Sequence, residues 1–494
     1  NRTMSNFPSA LTERHLHYIN GAFTAAAGQG RLDLVNPYTE ATFGSIALGT
    51  KADVDSAVAA ARAAFPAWSA MPRAERAGWI GKLVAALKPR LETIGALETT
   101  EMGTPISFSM RAHAQGPLMM LAGHMEFLAK GSHNELIGNS RVVREPIGVV
   151  AAITAWNYPL MLLIGKIAPA ITAGCTVVAK PGEMAPLTSM VVADALAEIG
   201  FPAGVINIVN GTGIDVGEAL VTHPGVDMVS YTGSTATGRR LMAAAAPTVK
   251  KVSLELGGKS ASVILDDAPF EQAVRGGIQG CFLNSGQTCI ALTRMIVPAH
   301  LHDKALEIAA DEVSKFVIGD PMNPATTQGP LAFGKHRDRV LDYIRIGQEG
   351  GAKLVTGGTD MPAGVDKGYF VKPTVFGGVT SNMRIAQEEI FGPVLAILPA
   401  KDEAEAVQIA NGTIYGLNGA VWSADMTRAV RVARQLQCGK VDINGGGFNM
   451  NAPAGGFKQS GIGRERGHYA IEEFMEVKSL QFNNDELASA SSPD

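Results

Sequence analysis

Residues 148–183 read GVVAAITAWNYPLMLLIGKIAPAITAGCTVVAKPGE. Two short runs of β-branched and small apolar residues flank a longer apolar run that opens on Pro159. Val149–Thr154 reads as a strand and Cys175–Ala179 as a second. Pro159–Thr172 reads as the helix between them, since proline in a first turn gives up no donor the helix would use. Outward from this unit the alternation continues. Pro186–Ile199 reads as helix, Val205–Val209 as strand, Val216–Thr222 as a short helix and Asp227–Tyr231 as strand. Thr235–Ala245 then reads as helix and Val252–Glu255 as strand. Such alternation predicts an α/β fold, a parallel sheet with helices on both faces. Ligands of these sheets bind beyond the carboxyl ends of the strands. Trp156-Asn157, Lys180 with Glu183, Gly233-Ser234 and Glu255 stand at those ends.

Upstream, residues 52–99 read as an Ala-rich helical layer. Downstream, a second alternation runs from Ala261 to about Val421. It has a strand at Ala261–Leu265, a helix over Phe270–Asn284 and a strand near Leu292–Val297. The loop Gln387–Pro393 interrupts it. Ser140–Pro146 and Phe474–Phe482 fit neither alternation; both read as extended edge strands, pairing within the chain or between subunits.

The chain has 494 residues, more than one core accommodates, since cores stop growing near about 250–300 residues. Its 46% hydrophobic and 18% charged residues are those of a globular protein. A net charge of −4 and no basic block argue against nucleic acid as a partner. No apolar run is long enough to span a membrane. The polar start Asn1–Ala10 carries no signal-peptide core; whether residues 1–3 are native stays open. Ala488–Asp494 reads as a loose polar tail. Cys175, Cys281, Cys289 and Cys438 show no metal spacing and read as reduced thiols of a cytoplasmic protein. No metal site is expected.

Four segments carry chemistry. Asn284–Cys289 presents a cysteine after a small, flexible turn, and a thiolate there could attack a carbonyl; alone, such a cysteine reads first as a small buried hydrophobe. Glu255 ends a strand before Gly257-Gly258, where a carboxylate could act as general base or simply face solvent. Thr232–Gly238 leads from strand to helix through small residues, which would let a phosphate reach the helix N-terminus. It matches neither the G-x-G-x-x-G fingerprint nor a Walker loop. The Asn157 amide could donate to an oxyanion or cap the helix that follows.

Taken together these segments resemble the aldehyde dehydrogenase superfamily, in its hydrolytic, NAD(P)-dependent branch. The resemblance rests on Trp-Asn-x-Pro (156–159), Lys-Pro-x-Glu (180–183), Gly-Ser-Thr-x-x-Gly (233–238), Glu-Leu-Gly-Gly-Lys (255–259) and Gly-Gln-x-Cys (286–289). It continues through Glu-Glu-Ile-Phe-Gly-Pro (388–393), Asn444 and the closing run 455–465. Each motif is short; their common order over nearly the whole chain carries the weight.

The resemblance implies a Rossmann-like cofactor domain (1–125 and 147–258), a second α/β catalytic domain (259–458) and a small β oligomerisation element (126–146 and 470–487). It implies Cys289 as nucleophile, Asn157 with the Cys289 N–H as oxyanion donors, and Glu255 as the base that activates water against a thioester. Trp156, Gly233 and Ser234 would lie at the cofactor pyrophosphate. Lys180 and Glu183 would address the adenine-side ribose, Glu389 the nicotinamide-side ribose, with Phe391 packed nearby. A carboxylate at 183 favours NAD over NADP. A homodimer or homotetramer is implied through the segments near 140 and 480, pairing between subunits.

Positions of the implied substrate tunnel are light. Gly165, Leu283, Gly445–Gly447 and Ala454 leave Tyr158, Met161, Leu162, Ile290 and Phe448 as apolar lining. The tunnel therefore reads as roomy, apolar and without fixed charge, suited to a neutral hydrophobic aliphatic or aromatic aldehyde and not to an acidic semialdehyde. Three competing readings stand beside this one. A CoA-acylating semialdehyde dehydrogenase would typically lack Glu255. A non-catalytic relative would have lost the nucleophile or the base. A reductase without a covalent step would tolerate loss of Cys289. Cys175, Cys281 and Cys438 match no implied site.

Overall fold

In the computed structural model, which describes residues 7–131, 134–483 and 486–487, the strand Val149–Ile153 is buried throughout. Its side chains alternate between two cores. Val150 and Ala152 pack on one face with Leu163, Ile164 and Ile167 of the helix Pro159–Ala173. Val149, Ala151 and Ile153 pack on the other with Val54, Ala57, Val58 and Ala61 of the helix Lys51–Ala70. A strand apolar on both faces is what a parallel sheet between helical layers requires, and each buried Val or Ile contributes about 1.5–3 kcal/mol.

This sheet has eight strands, in the order 461–462, 251–255, 228–232, 149–153, 176–180, 206–208, 16–19, 22–25. The five central strands run parallel; Gly461–Ile462 and the hairpin Leu16–Ala25 close the two sides antiparallel. From Val149–Ile153 the chain first builds toward 206–208, then returns to place Met228–Thr232 on the opposite side. The reversal opens a crevice between Thr154–Asn157 and Gly233-Ser234.

A second sheet holds seven strands, in the order 353–356, 374–377, 394–400, 294–298, 261–264, 418–422, 440–443, parallel except for the first. The expected α/β class is therefore what the chain adopts, with two large sheets and smaller ones.

Several boundaries differ from expectation. The helical layer over 52–99 is three helices, Lys51–Ala70, Arg73–Leu87 and Leu91–Met102, broken at Pro72 and around Pro89. The helix expected over Phe270–Asn284 stops at Cys281. Phe282 leaves helical geometry, and Asn284 and Ser285 take left-handed conformations with φ of 54° and 55°. The short helix expected over Val216–Thr222 begins at Glu218, after a wider turn over Gly213–Gly217.

Ser140–Pro146 and Met475–Gln481 pair with each other inside the chain, in full antiparallel register, with Glu135–Ile137 on the far side. The implied pairing of these segments between subunits is thus corrected: each is the other's partner. Residues 126–129, assigned to that element from sequence, are the last turn of the helix Gly116–Ala129. The expectations on residues 1–3 and on the tail from Ala488 lie outside the described residues.

Candidate active site

Cys289 follows a turn that tertiary contacts hold in place. Thr104 Oγ1 donates to Asn284 Oδ1 at 2.6 Å, and Asn284 Nδ2 donates to the Asn157 carbonyl at 2.9 Å. Gln287 Oε1 accepts from Ala332 N at 3.0 Å, and Ser285 Oγ donates to the Gly329 carbonyl at 3.0 Å. Gly286 takes φ 74°, and a Cβ there would stand 2.1 Å from the Gly392 carbonyl oxygen. The turn is therefore fixed by the loop ahead of Val394–Ala400 as much as by its own sequence. Asn157 is not the helix cap; its Nδ2 donates to the Gln287 carbonyl at 3.2 Å, which leaves the amide a second N–H beside the cysteine.

The Cys289 thiol is half-buried. Burial pushes it up to about 12, and the Glu255 and Glu389 carboxylates add to the push, while Arg466 opposes it. Tyr158 OH bonds Thr288 Oγ1 at 2.8 Å, and His113 stacks on the Tyr158 ring at 4.6 Å.

Glu255 ends its strand between Thr232 and Gly461. Its Oε1 is buried and has no hydrogen-bond partner. Burial holds the carboxyl well above the ordinary carboxylate range, Glu465 adds to this, and Lys166, Arg466 and Arg464 oppose it. Lys166, on the buried face of Pro159–Ala173, donates to Glu465 Oε1 at 2.7 Å and to Ser230 Oγ at 3.1 Å. The carboxylate thus faces a relay of charged groups on one side and the thiol on the other.

The remaining expected residues fall into two places around the crevice. Ser234 caps the helix Thr235–Ala245, accepting from Thr237 N at 3.2 Å. Gly233 N donates to the Glu255 carbonyl at 3.0 Å, and a Cβ on Gly233 would strike the Tyr231 hydroxyl. Lys180 Nζ donates to the Pro181 carbonyl at 2.8 Å and is lowered to about 8 by burial, with Glu183 opposing. Glu183 Oε2 accepts from Gly213 N at 3.2 Å. Around Glu389, Oε1 accepts from Gly258 N at 3.1 Å, and burial raises the carboxyl. Phe391 and Trp156 meet edge to face at 5.5 Å, and His336 bonds the Phe391 carbonyl at 2.6 Å.

This cradle fits a dinucleotide. The solvent-facing N-terminus of the helix Thr235–Ala245 favours its phosphates. Thr154 Oγ1 and Thr232 Oγ1, at the carboxyl ends flanking the crevice, are buried without partners. Such atoms carry a desolvation cost until something bonds them. Among the described residues no cluster of His, Cys, Asp or Glu is placed to hold a metal ion, and no helix is long and apolar enough to cross a membrane.

Lys166, Thr288 and Arg466 were not named as site residues from the sequence; Tyr158 was expected only as apolar lining and Glu465 only as the end of the closing run. Lys166 did carry a signal, as the one charge in an otherwise apolar helix. Arg466 is a charge near the site that the sequence reading did not take into account. The charge of Arg466 acts on Cys289, Glu255 and Tyr158, and its guanidinium carbon lies 4.0 Å above the Phe448 ring. Arg466 follows the closing motif by one residue and takes an unusual backbone conformation, φ 76°. Beside Gly165, the Met120 sulfur partly fills the space the small residue leaves.

Residues 23–480 match the model of the Aldehyde dehydrogenase family. The chain is 46% identical over 469 residues to 3-succinoylsemialdehyde-pyridine dehydrogenase from a Pseudomonas species, covering 94% of this chain and 97% of the relative. It is similar to a cysteine-to-alanine variant of aldehyde dehydrogenase C from Pseudomonas syringae, solved with NAD+ and octanal, at TM-score 0.94 and 42% identity, covering 97% and 98% of the two chains. It is also similar to a Mycobacterium tuberculosis aldehyde dehydrogenase solved with NAD+, at TM-score 0.92 and 40% identity, covering 96% and 99%.

Proposed function

Because the chain belongs to the aldehyde dehydrogenase family, we propose that it oxidises an aldehyde to the carboxylic acid through a thioester on Cys289, with NAD as oxidant. The observation that supports this reading is that the Glu255 charge acts on the Cys289 thiol while its Oε1 stays orphaned and the Asn157 amide donates to the Gln287 carbonyl two residues before that thiol.

The Cys289 thiol releases its proton to solvent and the resulting thiolate sulfur adds to the aldehyde carbon, and the Asn157 amide with the Cys289 N–H holds the oxygen as it becomes an oxyanion. NAD, when bound, supplies the hydride acceptor that turns this adduct into the thioester. Glu255 then takes a proton from water as the water oxygen attacks the thioester carbonyl, releasing the acid and the thiol. A carboxylate raised by burial is a stronger base than an exposed one, which suits this step. The presence of Glu255 supports water, and not CoA, as the group that resolves the thioester.

Trp156, Gly233, Ser234 and the helix behind them would hold the pyrophosphate. Glu183 would accept ribose hydroxyls, and its carboxylate would repel a 2′-phosphate. Lys180 is turned to the Pro181 carbonyl, which supports NAD over NADP. Glu389 and Phe391 would hold the nicotinamide end. The eight-stranded sheet would then be the cofactor unit and the seven-stranded sheet the catalytic unit. The four cysteines are free thiols, which supports a reducing, cytoplasmic setting. An apolar aldehyde, aliphatic or aromatic, suits the lining of Tyr158, Met161, Leu162 and Phe448. A relative solved with octanal and one named for a pyridine-bearing semialdehyde agree with that choice.

The test is reduced-cofactor absorbance with NAD or NADP, a panel of aldehydes, and CoA present or absent, on wild type and Cys289→Ala. Turnover with NAD, no need for CoA, and loss of about 10³-fold or more in the variant are expected. Undiminished turnover in Cys289→Ala would overturn the covalent route.

A further inference from the structure

The site holds a cation that the chemistry above does not use. Among the described residues the Arg466 side chain makes no hydrogen bond and no ion pair; its guanidinium carbon lies 4.0 Å above the Phe448 ring. Its neighbours in chain and space are committed elsewhere. Glu465 pairs with Lys166 at 2.7 Å, and the Glu465 backbone exchanges hydrogen bonds with Ala454. Arg464 bonds the Gly456 and Gly463 carbonyls.

Arg466 is also held in a conformation rare for any residue but glycine, φ 76° and ψ 149°. Strain of this kind persists only where the surroundings impose it, and it concentrates at binding and catalytic sites. Phe448 is half exposed and stands in the loop that follows Gly445–Gly447. A guanidinium stacked by its face keeps its edge N–H groups free in the plane, the geometry that receives oxygen acceptors, carboxylate above all.

We propose that Arg466, seated on Phe448, is a specificity-determining residue that binds an oxygen acceptor carried by the aldehyde substrate remote from its reacting carbon. The acceptor is a carboxylate or a ketone oxygen. This deepens the proposed aldehyde oxidation and rests on it. It also revises the substrate class: an apolar body remains suitable, and an oxygen function beyond it is recognised instead of excluded. The contact forms in the enzyme–substrate complex and persists through reaction, so it acts mainly on KM.

The experiment compares matched aldehydes on wild type, Arg466→Met and Arg466→Lys. Pentanal is the plain chain, 4-oxopentanal carries the ketone, and succinic semialdehyde carries the carboxylate. Wild type is expected to favour one or both oxygen-bearing aldehydes over pentanal by about tenfold or more in kcat/KM, mostly through KM. The preferred one identifies the acceptor. Arg466→Met should collapse that ratio toward one, and Arg466→Lys should keep part of it.

A wild type that oxidises pentanal as well as or better than both others overturns the proposal without any variant. So does an unchanged ratio in Arg466→Met. The pH dependence of Cys289 alkylation by iodoacetamide separates a role exerted through the thiol. Loss of kcat by one factor on all three aldehydes, with alkylation moved to higher pH, would assign Arg466 to the thiol and overturn substrate recognition. Absence of reduced cofactor with any aldehyde in wild type would instead sink the proposed oxidation itself.

Discussion

Glu255 is placed so that its environment decides its protonation. Its carboxyl is raised first by burial and then by Glu465, and is drawn down by Lys166, Arg466 and Arg464. A general base works only when ionised, so turnover limited by thioester hydrolysis falls as pH falls through the raised value. The acid limb of the rate profile should therefore lie above the ordinary carboxylate range. Replacing Lys166 by Met removes an opposing cation and leaves the Glu465 charge unpaired; both effects raise Glu255 further, so the limb moves to higher pH. Glu465→Gln removes a charge that raises Glu255, so the limb moves to lower pH. Glu255→Gln should slow turnover by about 10²–10⁴-fold while a single burst of reduced cofactor survives, because the first half-reaction needs Cys289 and not the base. Rate–pH profiles with burst measurements decide this, and shifts of the two charge variants in one direction would refute the electrostatic account. Glu255 and Cys289 could be nominated from the sequence because each sits in a short motif whose order along the chain resembles the family's. Arg466 could not, because its relation to Cys289 and Phe448 exists only once the late loop folds back.

The elements were readable where local signals and the fold agreed. Pro159 and Gly174 mark both ends of one helix, and the latter takes the left-handed φ of 100° that ends it. Runs of β-branched and small apolar residues indicated the five central strands of the eight-stranded sheet to within a residue or two; 16–19, 22–25 and 461–462 were not expected. The turn ahead of Cys289 resisted, since nothing local stops a helix at Cys281; Thr104, Asn157, Gly329 and Ala332 hold Asn284–Gln287 from elsewhere in the chain. That dependence is testable at Gly286. Its positive φ and the Gly392 carbonyl, 2.1 Å from where a Cβ would stand, leave no room for a side chain. Gly286→Ala should cost about 2–5 kcal/mol, combining backbone strain with overpacking. Because a shift of about 1 Å at a reacting group can cost about a hundredfold, kcat should fall with it. A lowered thermal midpoint together with slower alkylation of Cys289 is the expected result, and wild-type values for both would show that the turn is less constrained than its contacts imply.

At the scale of the whole molecule, the small sheet of 135–137, 140–146 and 475–481 is the part that a single chain leaves unfinished. Met475–Gln481 lies at its edge with backbone groups facing outward. Val477 is 66% exposed, and Leu136 and Ile137 on the opposite edge are 62% and 58% exposed. An open edge with apolar side chains is a template for pairing with another chain, and scattered charge such as the Lys478–Glu145 pair does not cover it. A second copy of this chain would make the edge self-complementary about a two-fold axis, and the homo-oligomer expected from sequence would then have a different physical basis: the segments pair within the chain, and their sheet would join another. Val477→Lys tests this cleanly. Val477 is exposed in the single chain, so the change should cost that chain no more than about 0.5 kcal/mol, whereas a lysine ammonium buried in a subunit interface without a partner would be strongly unfavourable. Light scattering on a sizing column should show wild type at a multiple of 51.7 kDa and the variant shifted toward one copy. Should Val477→Lys keep the full assembly mass while folding normally, the edge is not the interface, and subunit contacts must be sought on the faces of the two larger units.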